Sequence, residues 1–216
     1  MDTLISLKRH QLSIVFCYIY FIFLFFSDAS IAHPVTYKGG YAVSLLHSDL
    51  YTDLYLNKSN SQKQSLGIQY LSLSNDTHSF LLLQFNMLLK RWHFYDAQAN
   101  LYATTSLGFN HDNTQLFPCL HLKADAENRR YYTDFSATIM KPSSTLFTKL
   151  TSRLGLAPYK HHFSTLSTWF MIEAIYFNYH ETYLQLMPIY RGFYKSFLWE
   201  LGYNGSNTFI HVMLHF

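Results

Sequence analysis

The segment Asn207-Thr208-Phe209-Ile210-His211-Val212-Met213-Leu214-His215-Phe216 decides how the rest of the chain is read. Ile210, Val212, Leu214 and Phe216 share one parity, and His211, Met213 and His215 share the other. Successive side chains of a strand point to opposite faces, so the first set makes an apolar face that ends in an aromatic ring. Chain ends fray unless something ties them down. A closing strand of a barrel is tied down by its neighbour.

The same alternation recurs upstream. Leu81, Leu83, Phe85, Met87 and Leu89 oppose Gln84, Asn86 and Lys90. Ala99, Leu101, Ala103, Leu107 and Phe109 oppose Gln98, Asn100, Tyr102, Thr104 and Ser106. Leu120, Leu122, Ala124 and Ala126 oppose His121, Lys123, Asp125 and Glu127. Twelve strands of about ten residues are predicted on this pattern. They fall near 38–47, 50–58, 64–73, 80–91, 96–109, 116–127, 130–141, 148–158, 166–178, 181–192, 194–204 and 207–216. Turn chemistry separates them, as at 57–61, 74–76, 111–113, 141–144 and 204–206. The fold class is therefore all-β: a single antiparallel transmembrane β-barrel of about 12 strands. An even count returns both chain ends to one side, and 10 or 14 strands would do so as well.

A soluble antiparallel sheet alternates too, but its polar face is exposed to water and rich in Lys and Glu. Here the polar face is mostly Gln, Asn, Ser, Thr and Tyr, with a few charges of both signs. That composition suits an enclosed, partly hydrated lumen. Charged residues make up only 13% of the chain, about half the usual share, and aromatics reach 19%. Few charges and many rings describe a barrel whose outer face meets lipid between two aromatic girdles.

The start of the chain has the layout of a secretory signal. Lys8 and Arg9 precede the uncharged run 14–26, and Ser30-Ile31-Ala32 offers small residues before a cut at His33. That run is shorter than the roughly 20 residues that span a bilayer as a helix. The expected organisation is a signal peptide over 1–32 and the barrel over 33–216. Cleavage removes Lys8, Arg9, Asp2 and Asp28, so the net charge stays at +3, too mild to argue for nucleic acid. It also removes Cys17, leaving Cys119 without a disulfide partner.

Together, the signal layout and the terminal strand carrying Ile210, Val212, Leu214 and Phe216 resemble those of Gram-negative outer-membrane β-barrel proteins. The resemblance implies an outer-membrane location. It also implies a terminal strand that the outer-membrane assembly machinery recognises. It names no substrate.

By parity the lumen receives Asp53, Lys90, Lys123, Asp125, Glu127, Asp134, Arg153, Glu173, Arg191 and Glu200. Such a set either sets the selectivity of a channel or forms an ion-pair network that fills a narrow barrel and fixes its register. Eight strands leave room only for side chains and sixteen leave an aqueous channel, so twelve lies between. The expected function is a pore-like or structural barrel with a mixed-charge lumen. One alternative is a barrel that bears a site. His33 is the candidate metal ligand, since a terminal amine with an imidazole chelates copper; no other cofactor is expected. A lipid or ester hydrolase would need a Ser–His pair on the wall. His121 with Asp125 or Asp134 is arguable, but no catalytic residue is assigned and an enzyme is not the favoured reading. A secreted lipocalin-like binding barrel is the remaining alternative. His211 and His215 lie four apart on one strand, about 13 Å, and cannot share a metal.

Overall fold

The computed structural model describes residues 35–74, 78–110, 115–160 and 165–216. The expected signal peptide and His33 lie outside the described residues. Twelve strands form one closed antiparallel barrel in which every strand pairs with its sequence neighbours and β1 pairs with β12. They are β1 Tyr41–Ser48, β2 Tyr51–Ser59, β3 Gln64–Leu73, β4 Ser79–His93, β5 Ala97–Asn110, β6 Gln115–Asn128, β7 Tyr131–Met140, β8 Phe147–Leu156, β9 Ser167–Asn178, β10 Thr182–Tyr194, β11 Phe197–Tyr203 and β12 Thr208–His215.

Closure is made by the terminal segment. The register runs from Ala42 opposite His215 to Ser48 opposite Phe209. Beyond the ladder, Tyr41 N donates to Phe216 O at 2.6 Å, and Phe216 N returns the bond to Tyr41 O at 3.0 Å. The two rings stack with centroids 5.6 Å apart. The last residue is therefore tied at its backbone and at its side chain.

Most boundaries agree with the alternation to within a few residues, and the departures have local causes. Strand β1 starts at Tyr41 rather than residue 38 because Gly39 takes φ +88° in a turn. Strand β11 starts at Phe197 because Lys195, at φ +54°, sits in the tight connection after β10. Strand β4 runs past residue 91 to His93 and carries a bulge between Leu88 and Lys90.

The barrel is inverted relative to a water-soluble one. Its outward positions expose large apolar side chains: Leu184 is 77% exposed, Leu154 65% and Ile172 61%. Among the described residues, outward strand positions carry two formal charges, Lys58 and Lys90. Both lie toward the end that holds Phe216. Outward Tyr and Trp rings lie toward the two ends, Tyr41, Trp92, Tyr131 and Tyr194 at that end and Tyr70, Tyr176 and Tyr203 at the other, while Phe85 and Phe135 face outward between them.

The interior is packed with side chains. Phe80, Phe117, Phe147, Phe177 and Tyr179, with Tyr51, Leu71, Leu73 and Met140, form a buried apolar cluster at the end away from Phe216. Phe147 meets Phe177 edge-on at 5.1 Å and Phe80 meets Phe117 at 5.6 Å. The Phe117 ring lies flat over Gly108, where an added Cβ would sit 2.3 Å from a ring carbon. A glycine there lets a large ring lie against the wall.

An outward lysine near mid-strand should be costly. Ile172→Lys should destabilise the barrel in lipid vesicles by about 2–4 kcal/mol, and Leu116→Lys near the rim by about 1 kcal/mol or less. Urea unfolding of the two variants measures the difference. Equal costs would contradict the lipid-facing assignment.

Candidate functional site

Between the two ends the interior is mixed: a second buried apolar cluster with Trp169, Met171, Met187 and Ile189 fills one side, and the rest is polar. A cavity of about 220 Å³ lies there, lined by residues that include Ser44, Asp53, Tyr55, Gln84, His121, Lys123, Asp134, Lys149, Arg153, Glu173 and His211. That volume holds on the order of ten water molecules. The apolar cluster adjoins it, with Tyr51, Leu71, Leu82 and Phe147 in its wall. Lys149 Nζ sits 4.2 Å from the Tyr51 ring centroid, where the charged belt meets the rings.

The charges are joined circumferentially because antiparallel register places their strands' inward residues side by side. Arg191 is opposite Glu200, and Glu200 is opposite His211. Arg153 is opposite both Glu173 and Asp134. The contacts follow the register. Arg191 Nε donates to Glu200 Oε1 at 2.6 Å, and Arg153 reaches Glu173 Oε2 at 2.6 Å and Glu200 Oε2 at 3.4 Å. Glu200 is fully buried and is the node of this network. His211 Nδ1 is 2.8 Å from Glu200 Oε2, and His211 Nε2 is 2.9 Å from Ser44 Oγ.

The other half of the wall is bridged by amides. Gln69 donates to both Asp53 oxygens at 2.8 Å, and Gln84 donates to Gln69. Asn86 donates to Asn57 and Ser65 and accepts from Thr104 at 2.7 Å. Arg91 donates to Asn100, and Asn100 to Asp125, each at 2.7 Å. Buried polar groups are costly unless bonded, so such chains fix one register among the alternatives.

Of the ten charges expected inside, Asp53, Lys123, Asp125, Glu127, Asp134, Arg153, Glu173, Arg191 and Glu200 occupy inward positions. Lys90 does not. The bulge shifts the parity, so Lys90 stands opposite the outward Leu101 and lies by the Trp92 ring, while Arg91 takes the lumen position opposite Asn100. Lys149 is inward as well, two strand repeats before Arg153, and parity alone would have found it. Ser44 shares the inward face of β1 with Ala42, Leu46 and Ser48. The ladder to β12 is what brings it to His211. His121 bonds Thr138 Oγ1 at 2.8 Å. Its arguable pairing with Asp125 or Asp134 shows no hydrogen bond among the described residues.

Two solved structures are similar in fold. One is a KdgM porin in complex with disordered oligogalacturonate, at 11% identity and a TM-score of 0.51, over 82% of this chain and 98% of that one. The other is a KdgM porin at 11% identity and a TM-score of 0.49, with the same coverage. At this identity the likeness is one of fold. No protein-family model and no curated protein matches the chain.

Removing the node should be severe. Glu200→Ala leaves Arg191 and His211 without their carboxylate. Breaking a buried pair costs about 3–5 kcal/mol. Unfolding by urea in vesicles should show a loss of that size, and a change under about 1 kcal/mol would contradict the network's role.

Proposed function

We propose that the chain is a pore-like barrel of the outer membrane of a Gram-negative bacterium, passing small solutes through a narrow mixed-charge lumen. The observation that carries this is the inversion of the barrel: an apolar outer wall around an interior whose cavity is lined by charged and polar side chains. A closed barrel satisfies all backbone hydrogen bonds within itself, which a strand structure in hydrocarbon must do. On this reading residues 1–32 act as a secretory signal. Ile210, Val212, Leu214 and Phe216 form the strand that the assembly machinery engages.

The lining argues against a strongly ion-selective channel. Arg91, Lys123, Lys149, Arg153 and Arg191 are set against Asp53, Asp125, Glu127, Asp134, Glu173 and Glu200. The similar porin structure holds oligogalacturonate, a polyanion. Near-balanced charge gives this lumen no positive excess for such a solute. Small neutral or zwitterionic solutes fit better. The ring cluster that fills the end away from Phe216 must move for them to pass, and it acts as the gate.

Purified protein in a planar bilayer tests both points. The wild-type barrel should give small, infrequent conductance steps with weak ion selectivity. The Phe147→Ala, Phe177→Ala double variant should raise conductance several-fold, with folding verified by the mobility shift between unheated and boiled samples. A folded double variant that stays silent would remove the pore.

A further inference from the structure

Ser44, His211 and Glu200 come from three adjacent strands at the seam, β1, β12 and β11, and their side chains form one unbroken chain of hydrogen bonds. Glu200 is anchored by Arg191, whose Nε and guanidinium nitrogen both lie 2.6 Å from Oε1. Its other oxygen faces His211 Nδ1 at 2.8 Å. A carboxylate can only accept, so Nδ1 carries a proton, and in the neutral imidazole Nε2 is then the acceptor. Ser44 Oγ is 2.9 Å from Nε2 and donates to it when the imidazole is neutral. A hydroxyl on an imidazole whose far nitrogen is fixed by a carboxylate is the general arrangement of an activated nucleophile.

Two further features point to a reacting site rather than a filler network. Ser44 and His211 are both buried in the wall of the mid-barrel cavity, Ser44 at 2% exposure. Tyr55 lines the same cavity and stands directly opposite Ser44 across β1 and β2. Its phenol donates to Met213 Sδ at 3.7 Å, a weak acceptor that it can exchange for an oxyanion.

We propose that Ser44 is the nucleophile and His211 the general base of an acyl-ester hydrolase site inside the lumen, with Glu200 as a positioning residue and Tyr55 as the oxyanion donor. The substrate class is a small carboxylic ester, its acyl part against Leu46 and Met213. Ser44 Oγ bonds the carbonyl carbon as its proton passes to His211 Nε2. The ester C–O bond breaks and the leaving alkoxide takes that proton. Water then adds to the acyl carbon, giving a proton to His211. Ser44 leaves with it, and the carboxylic acid is released. The site does not depend on conductance: a silent barrel can hydrolyse, and a conducting one need not.

The test is covalent labelling of the folded protein in detergent by diisopropyl fluorophosphate, with the adduct located by peptide mass spectrometry. Fluoride leaves as the Oγ–P bond forms. Labelling should fall on Ser44, vanish in Ser44→Ala, and slow on the order of 100-fold in His211→Gln, the size of a general-base contribution. For Glu200, the imidazole ¹⁵N shifts of His211 should report a single Nδ1-protonated tautomer in the wild type and mixed tautomers in folded Glu200→Gln. The Ser44→Cys variant with methyl methanethiosulfonate reads access. Wild-type protein without a Ser44 adduct overturns the proposal in either case. A modified thiol in Ser44→Cys would then show a reachable but inert hydroxyl, and an unmodified thiol a site no substrate reaches.

Discussion

The pairing of β1 with β12 is the constraint on which everything else rests. An open sheet would leave two rows of backbone donors and acceptors facing hydrocarbon, each group at a cost of several kcal/mol. The register from Ala42–His215 to Ser48–Phe209 removes both rows at once. It also assembles the interior. Glu200 and His211 become direct neighbours across β11 and β12, and Ser44 arrives from β1 within 2.9 Å of the imidazole. The most connected charges of the lumen thus sit beside the seam that makes the lumen exist. Phe216 adds a backbone bond pair and a ring stack on Tyr41 at the rim of the same seam.

The interior is a compromise between filling and hydration. Rings and aliphatic chains seal the end away from Phe216, held flat by small wall positions such as Gly108 under Phe117. Next to them, ion pairs and amide chains surround a cavity of about 220 Å³. A buried ion pair contributes little net stability, since desolvation offsets attraction. Its larger effect is on specificity. A strand that slipped by one residue would turn its charges into lipid and its leucines into the lumen. The same network therefore serves register, and it joins Ser44 to His211 in the wall of the cavity.

The architecture was legible in the sequence because period-two alternation survives in nearly every strand. A count of about twelve strands and the outward face of Ile210, Val212 and Leu214 follow from it, while closure was implied by the resemblance of the terminal strand. What alternation does not encode is a local change of phase. The bulge after Leu88 inverts the following residues, so Lys90 and Arg91 exchange faces and nothing in their identities announces it. Partnership across strands was equally hidden. Glu200 and His211 were each readable as inward, yet their contact depends on a register fixed by the whole ring of hairpins. Ser44 carries no motif at all, since a serine between Ala42 and Leu46 on the inward face of β1 looks like filler. The occlusion by Phe80, Phe117, Phe147 and Phe177 was unreadable for the same reason: each ring is ordinary, and only closure gathers them.

The apolar face meets lipid and the charged face meets the lumen. Trp199 faces outward, stacked on Phe197 at 5.6 Å, and Trp169 faces inward, 6.2 Å from Tyr132. Single-tryptophan proteins that retain one or the other, folded into vesicles with brominated acyl chains, measure the difference through fluorescence quenching. Strong quenching of Trp199 is expected, with Trp169 unaffected. Equal quenching of both, or none of Trp199, would contradict it.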